Sequence, residues 1–166
     1  SRSRITRLLH RWNQRTLPWK DIERVAVSRE AGRWMFGSHP FDVIHNGIDV
    51  DTFAYRPEAR EPIRAEFDLS PDSFVVGSVA AFLPAKNHRF LLDVFSEVAR
   101  RRPDSRLLLV GDGPLEDEVR HLVQRLELEE LVLFLGRRPD VADLLCGMDS
   151  LLLPSLHEGF PLVTVE

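Results

Sequence analysis

The sequence predicts an α/β fold, a doubly wound parallel sheet with helices on both faces. Nearly continuous apolar runs of strand length alternate with segments whose apolar residues recur at helical spacing. Such apolar strands are typical of parallel sheets, because the crossover helices bury both faces of the sheet. The composition agrees, since 43% hydrophobic and 29% charged residues describe a globular chain rather than a disordered or membrane-embedded one.

The first predicted elements are short. They are a strand at 25–27, a helix at 29–36 and a second strand at 43–45. Residues 52–72 contain Pro57, Pro62 and Pro71 and are predicted to be a surface connection with about one helical turn. We expect a domain boundary near residues 38–41. Residues 1–37 would be the tail of a preceding lobe, because so short a segment buries no core alone, and residues 38–166 a second domain that is incomplete at its C-terminus.

From residue 74 onward, strands and helices alternate regularly. The predicted strands lie at 74–82, 107–110, 131–135 and 151–153. The predicted helices lie at 88–101, 115–127 and 141–146. Asn87 and Asp140 precede two of these helices as predicted N-caps, since Asn and Asp side chains accept hydrogen bonds from the first helical N–H groups.

Length and composition exclude several classes of protein. A single cysteine among 166 residues excludes an intramolecular disulfide framework and fits a reducing cytoplasm. No apolar run approaches the ~20 residues of a membrane span, and no export signal is visible. The chain begins with Ser and stops at Glu166 inside a predicted helix. We therefore expect a piece of a longer, cytoplasmic protein.

Positive charge is concentrated at the start of the chain. Residues 1–24 contain seven basic and two acidic side chains, although the net charge of the whole chain is −4. Apolar residues of this segment recur at helical spacing, so we expect a packed helix with a solvated basic face. The alternative is peripheral contact with an anionic membrane at its inner face. Nucleic acid is disfavoured, because no further basic and aromatic surface follows.

Four predicted loops follow the strands of the sheet. They are 83–87, 111–114, 136–140 and 154–161. In doubly wound sheets, ligands bind outside the carboxyl ends of the strands, where helix N-termini attract phosphate. Lys86 would add a full positive charge to the first loop, although a solvated surface lysine is the alternative. The sequence thus predicts a ligand that carries phosphate.

Two carboxylates in the fourth loop stand eight positions apart, Glu158 and Glu166. Pro161 suits the first turn of a helix that would run through Glu166. Glu158 would then face a bound sugar, while Glu166 accepts hydrogen bonds from ribose hydroxyls. The alternative is a carboxylate that interacts with the helix dipole and an exposed side chain.

This loop resembles the Glu-x7-Glu motif of retaining family 4 glycosyltransferases of the GT-B fold. Further segments resemble motifs of that family in order and at its spacings, and they lie at 27–28, 43–49, 86–88, 108–114, 132–136 and 148–155. The resemblance covers nearly the whole chain and is nearest in character to enzymes that assemble bacterial capsular polysaccharides or exopolysaccharides. It implies that the chain is a truncated, Rossmann-like C-terminal half of a GT-B protein.

The resemblance also implies a reaction. A full-length protein would transfer a hexosyl or related group, with retention, from a nucleotide-diphosphate sugar to a polysaccharide or lipid-linked acceptor. The family works without a bound metal, and no other cofactor is expected. Asp49 and Asp51 form an Asp-x-Asp, but they are discounted as a metal site because they lie in a predicted turn outside the cluster of strand ends. We expect the 166 residues to bind nucleotide diphosphate weakly and to transfer no sugar by themselves.

Roles for individual residues follow from the same resemblance. Lys86 would neutralise the donor diphosphate and Glu158 would contact the donor sugar, as the catalytic pair. Glu166 would bind the ribose, and Arg137, in the loop 136–140, would flank the base. The backbone of four consecutive residues would hold phosphate and sugar oxygens: Gly159, Phe160, Pro161 and Leu162.

One departure from the family bears on donor binding. Ala80 and Ala81 stand where the family commonly has Gly-Arg, whose arginine shares the diphosphate. The missing arginine implies weaker donor binding, a substitute cation, or a protein that no longer catalyses.

Three other functions compete with transfer. A dinucleotide-binding oxidoreductase needs Gly-x-Gly-x-x-Gly, but Glu116 stands at the third glycine position and would repel a pyrophosphate. A nucleotide-sugar epimerase of the same two-lobed fold would act on the donor without an acceptor. A non-catalytic nucleotide-binding or interaction module would retain only the fold.

Overall fold

The computed structural model describes residues 22–156, which belong to two compact units that divide between Ile48 and Asp49. In the first unit, β1 (Val25–Ala26) pairs in parallel with β2 (Asp42–Val43), and α1 (Arg29–Phe36) connects them. Ser28 begins α1, because its hydroxyl accepts a hydrogen bond from the Ala31 N–H at 3.0 Å. The assignment of residues 1–37 and 38–166 to two lobes of a larger protein stays a prediction.

The second unit contains a parallel sheet and its helices. Its elements are α2 (Pro57–Glu66), β3 (Val75–Val79), α3 (His88–Arg101), β4 (Arg106–Val110), α4 (Glu116–Arg125), β5 (Val132–Gly136), α5 (Val141–Gly147) and β6 (Ser150–Leu151). The strand order is β5-β4-β3-β6, and all pairings are parallel. The predicted α/β fold with a parallel sheet is confirmed. Because β3 leads to β4 on one side and β6 lies on the other, the order reverses between β3 and β6, which is a topological switch point.

The strands supply two hydrophobic clusters, one on each face of the sheet. Alternate residues of β4 point to opposite faces, so Leu107 and Leu109 join one cluster while Leu108 and Val110 join the other. Helices α3 and α4 cover the first face, and α2 and α5 cover the second. Each fully buried leucine or valine contributes about 1.5–3 kcal/mol relative to an exposed one. Burial on both faces explains the nearly all-apolar strands.

The prediction of a surface connection at 52–72 is wrong, because α2 spans ten residues there. Pro57 occupies the start of the helix, where a missing N–H costs nothing, but Pro62 lies inside it. The helix persists because Ile63 and Arg64 are buried and the Arg64 guanidinium donates to the Gly147 carbonyl at 3.2 Å. Tertiary contacts therefore outweigh the proline signal that the sequence presents.

Helix α3 packs on the sheet through Leu91, Leu92 and Phe95, which are buried, whereas Phe90 is 52% exposed. Cys146 is a buried core residue. None of the helices within residues 22–156 combines the length and apolar composition needed for crossing a bilayer.

Candidate functional site

The two loops at the switch point are joined by hydrogen bonds. They are residues 80–87, after β3, and residues 152–156, after β6. The Leu156 N–H donates to the Ala85 carbonyl at 2.8 Å, and the Asn87 side-chain amide donates to the Pro154 carbonyl at 3.3 Å. The loop that contains Lys86 therefore lies directly against the loop that leads toward residue 158.

The loop after β3 also packs on the loop after β4, backbone against backbone. The Phe82 N–H donates to the Asp112 carbonyl at 2.8 Å, and the Phe82 carbonyl accepts from the Leu115 N–H at 3.1 Å. A Cβ at Gly111 would overlap the carbonyl oxygen of Ala80, and one at Gly113 would lie 2.8 Å from that of Phe82. Glycine is thus required at positions 111 and 113, because the backbones of the two loops touch without intervening side chains.

Lys86 ends a short 3-10 turn, Pro84–Lys86, one residue before the N-cap-to-helix step at His88, and it is partly buried. The neighbouring His88 is buried and stacks on the Phe82 ring, with 4.5 Å between centroids. Burial lowers the pKa of His88, and the positive charge of Lys86 lowers that pKa further. The ammonium of Lys86 is therefore close enough to the His88 imidazole to disfavour its protonated form.

A groove of about 400 Å³ lies over the carboxyl ends of β3, β4 and β5. Its lining consists of Val79, Ala80, Ala81, Val110, Gly111, Asp112, Arg137, Arg138 and Val141. Arg138 donates to Asp140 at 2.8 and 2.6 Å and to Glu66 at 2.8 Å. These hydrogen bonds, first with Asp140 and then with Glu66, raise the pKa of Arg138. Arg138 thus holds α2 and α5 together.

Arg137 differs from its neighbour. It is exposed on the groove and makes no hydrogen bond or ion pair with another residue of the described range 22–156. Its guanidinium is the charged donor that this groove presents to a ligand, on the same sheet edge as Lys86. The two described members of the predicted site therefore both follow strands at the carboxyl edge of the sheet, and their shared role stays a prediction.

The two predicted N-caps use their side chains elsewhere. Asn87 and Asp140 both occupy N-cap positions, but neither side chain makes a capping hydrogen bond. The Asp140 carboxylate accepts from Arg138, and these hydrogen bonds lower its pKa despite some burial. The predicted N-cap positions are therefore confirmed, but the side chains bind other partners: Asn87 donates to Pro154, and Asp140 accepts from Arg138.

The remaining predicted site residues lie outside the described residues: Glu158, Gly159, Phe160, Pro161, Leu162 and Glu166. The basic segment 1–21 lies outside them as well. The roles given to these residues stay predictions. Among the described side chains, no group of three or more His, Cys, Asp or Glu residues is placed to hold a metal ion.

A charged cluster at the opposite, amino-terminal edge of the sheet was not predicted. Asp149 accepts from the Val75 N–H at 2.7 Å, from Arg60, and from Arg64 at 3.4 Å. Burial raises the pKa of Asp149 most strongly, but the Val75 and Arg60 hydrogen bonds and both arginine charges lower it overall. Arg60 and Arg64 stand one helical turn apart, a signal that is lost when 57–66 is not recognised as a helix.

Comparison with known protein sequences identifies glycosyltransferases as relatives of this chain. Residues 59–166 match the family described as glycosyl transferases group 1. The putative glycosyltransferase EpsF of Bacillus subtilis is 35% identical over 85% of this chain and 38% of its own length. An Escherichia coli UDP-Gal:alpha-D-GlcNAc-diphosphoundecaprenol alpha-1,3-galactosyltransferase is 32% identical over 75% of this chain and 33% of its own length.

Solved structures agree with the sequence comparisons. Anabaena Alr3699/HepE, crystallised with UDP and glucose, superposes with a TM-score of 0.78 and 27% identity. That superposition covers 96% of this chain and 44% of HepE. The chain therefore spans less than half the length of these relatives.

Proposed function

This chain belongs to the glycosyl transferases group 1 family, and from that premise we propose that it is the donor-binding domain of a sugar-transferring enzyme. The full protein would transfer a hexosyl group, with retention, from a nucleotide-diphosphate sugar to a glycan or lipid-linked acceptor. One observation carries the proposal: Lys86 lies where the loops after β3 and β6 are joined, at the switch point of a parallel sheet.

A uridine diphosphate sugar is the proposed donor. HepE was crystallised with UDP and with UDP-glucose, and the name of the E. coli relative specifies UDP-Gal. We place the nucleoside in the groove beside Arg137 and the diphosphate beside Lys86. The nucleoside is assigned to the groove because the groove has a volume of about 400 Å³ and is lined mainly by small and apolar residues. The diphosphate is assigned to Lys86 because that side chain is positively charged and stands at the switch point.

Negative charge grows on the leaving diphosphate as the bond to the sugar breaks. An ammonium held in place before the reaction stabilises that charge without reorganisation. Lys86 would supply this positive charge, and no metal or other cofactor is needed in the proposal. Glu158, the backbone of residues 159–162 and Glu166 would complete the sugar and ribose contacts.

The proposed acceptor is a growing glycan or a sugar carried on a lipid diphosphate. The E. coli relative supports the second kind, because its name specifies a diphosphoundecaprenol-linked acceptor. Such an acceptor places the enzyme at the inner membrane face, where the basic residues of segment 1–24 would contact anionic lipid. The full protein is therefore proposed to be a peripheral enzyme of polysaccharide biosynthesis, including capsule.

Calorimetric titration of the chain with UDP, UMP and uridine tests the donor-binding proposal. We expect UDP to bind most tightly and Lys86→Ala to weaken UDP about ten- to a hundredfold, because a charge-assisted contact is worth about 1.5–3 kcal/mol. Uridine should bind the variant as it binds the native chain. The control is Arg125→Ala, which removes a cation from the far end of α4.

Two results would contradict the proposal in different ways. If the native chain bound none of the three compounds, the donor-binding function would be wrong and an interaction module of the same fold would replace it. If UDP bound but Lys86→Ala left its affinity unchanged, the diphosphate would lie elsewhere.

A further inference from the structure

We infer that Asn87 is a positioning residue for Lys86, because its side chain fastens the loop after β3 to the loop after β6. The inference rests on the proposed function, since it assigns Lys86 to the diphosphate. It concerns a residue that touches no substrate and acts only through the geometry of its neighbour.

The first observation is the backbone of Asn87. Its φ of 54° and ψ of 46° lie in the left-handed region, between the 3-10 turn that Lys86 ends and the first residue of α3. An ordinary N-cap has an extended backbone, and its side chain accepts a hydrogen bond from its own helix. Asn87 does neither. Its amide is therefore not used to begin α3.

The second observation is where the amide is used. Asn87 donates to the Pro154 carbonyl at 3.3 Å, while the Ala85 carbonyl accepts from the Leu156 N–H at 2.8 Å. These two hydrogen bonds involve the residues immediately before and after Lys86. The backbone of Lys86 is consequently held on both sides against residues 154–156.

Both properties of Asn87 are needed at this position. Glycine adopts the left-handed conformation without strain but has no side-chain amide. Aspartate also tolerates the conformation, yet its carboxylate would face the Pro154 carbonyl with one acceptor opposite another. Asparagine alone of these three combines the backbone with a donor. The side-chain effect is thus separable from the backbone effect by substitution.

The test is a double-mutant cycle on UDP binding, with uridine as the second ligand. We expect Asn87→Gly to weaken UDP about three- to tenfold, the value of one net hydrogen bond, and to leave uridine unchanged. In the Lys86→Ala background the same substitution should have little further effect, because Asn87 acts through Lys86. Asn87→Asp should weaken UDP at least as much as Asn87→Gly.

The matched control is Glu127→Gly. Glu127 has a φ of 55°, and it follows α4 at the far end from the site. Both glycine variants should melt within a few degrees of the native chain, whereas only Asn87→Gly should change UDP affinity. If Asn87→Gly does not melt cooperatively, Asn87→Asp carries the comparison with Glu127→Gly.

Three results would overturn the inference. They are an unchanged UDP affinity in the folded Asn87 variants, an equal loss for UDP and uridine, or full additivity with Lys86→Ala. In each case Lys86→Ala itself would still weaken UDP, so the donor-binding proposal would survive. If UDP bound but Lys86→Ala had no effect, the placement of the diphosphate beside Lys86 and the role of Asn87 would fail together, whereas donor binding itself would stand.

Discussion

Replacing Gly111 with alanine tests how closely the loops after β3 and β4 approach. A Cβ at Gly111 would overlap the Ala80 carbonyl oxygen and lie 2.9 Å from its carbon, and the φ of 136° is itself unsuited to alanine. The strained backbone costs about 1–3 kcal/mol. Displacing Ala80 also weakens the hydrogen bond of 2.9 Å that its N–H donates to the Val110 carbonyl, which adds about 0.5–1.5 kcal/mol to the loss of stability. We expect Gly111→Ala to lower the free energy of unfolding by about 2–4 kcal/mol.

Two other glycines separate strain from contact. Gly136 has a φ of 64° with nothing within 4 Å of an added Cβ, so Gly136→Ala should cost only the left-handed penalty of about 1–2 kcal/mol. Gly47 has open space and no positive φ, and Gly47→Ala should be neutral or slightly stabilising. Urea unfolding followed by far-ultraviolet circular dichroism measures all three. Equal losses for Gly111→Ala and Gly136→Ala would refute the close approach of the two loops.

Three further predictions concern charged and titratable side chains. Burial and, to a smaller extent, the charge of Lys86 lower the pKa of His88 below the ordinary 6.5, so the contribution of His88 to the free energy of unfolding should be complete above pH 6.5 and fall as the pH drops below it. In urea unfolding at several pH values, His88→Gln should make the free energy of unfolding depend less on pH in this range. An unchanged pH dependence would contradict the assignment. Asp149→Asn should lower the free energy of unfolding by about 1.5–3 kcal/mol in the same assay, because buried Arg64 loses its charged partner. An unchanged free energy would show that the backbone carbonyls bound by Arg64 are enough to stabilise its charge. Arg137→Ala should weaken UDP severalfold at an unchanged melting temperature, whereas Arg138→Ala should chiefly lower the melting temperature; the reverse pattern would exchange their roles.

The central part of the fold is predictable because its signals are local. Residues 107–110 are apolar throughout because β4 is buried on both faces, and α3 begins and ends at the predicted residues, His88 and Arg101. The helix α2 is different. Its two prolines indicate a loop, and what stabilises it is a set of hydrogen bonds from Arg60 and Arg64 to residues 146–149. Contacts between segments so distant in sequence leave no periodic pattern.

The site shows the same division between local and distant signals. The position of Lys86 follows from a general rule, because ligands of parallel sheets bind at strand carboxyl ends. The different uses of Arg137 and Arg138 do not follow, since adjacent arginines look alike until Glu66 and Asp140 are seen to bind only the second. The partner of Asn87, 67 positions away, is equally invisible to local reasoning.

The short strand β6 has a mechanical consequence. It is two residues long, yet Asp149 ties its beginning to Val75, and Leu156 ties the chain beyond it to Ala85. Because both ends of this segment are hydrogen-bonded, it cannot shift its register along β3 without breaking at least one of these hydrogen bonds. The register between β3 and β6 is therefore expected to stay the same when a ligand enters the neighbouring groove.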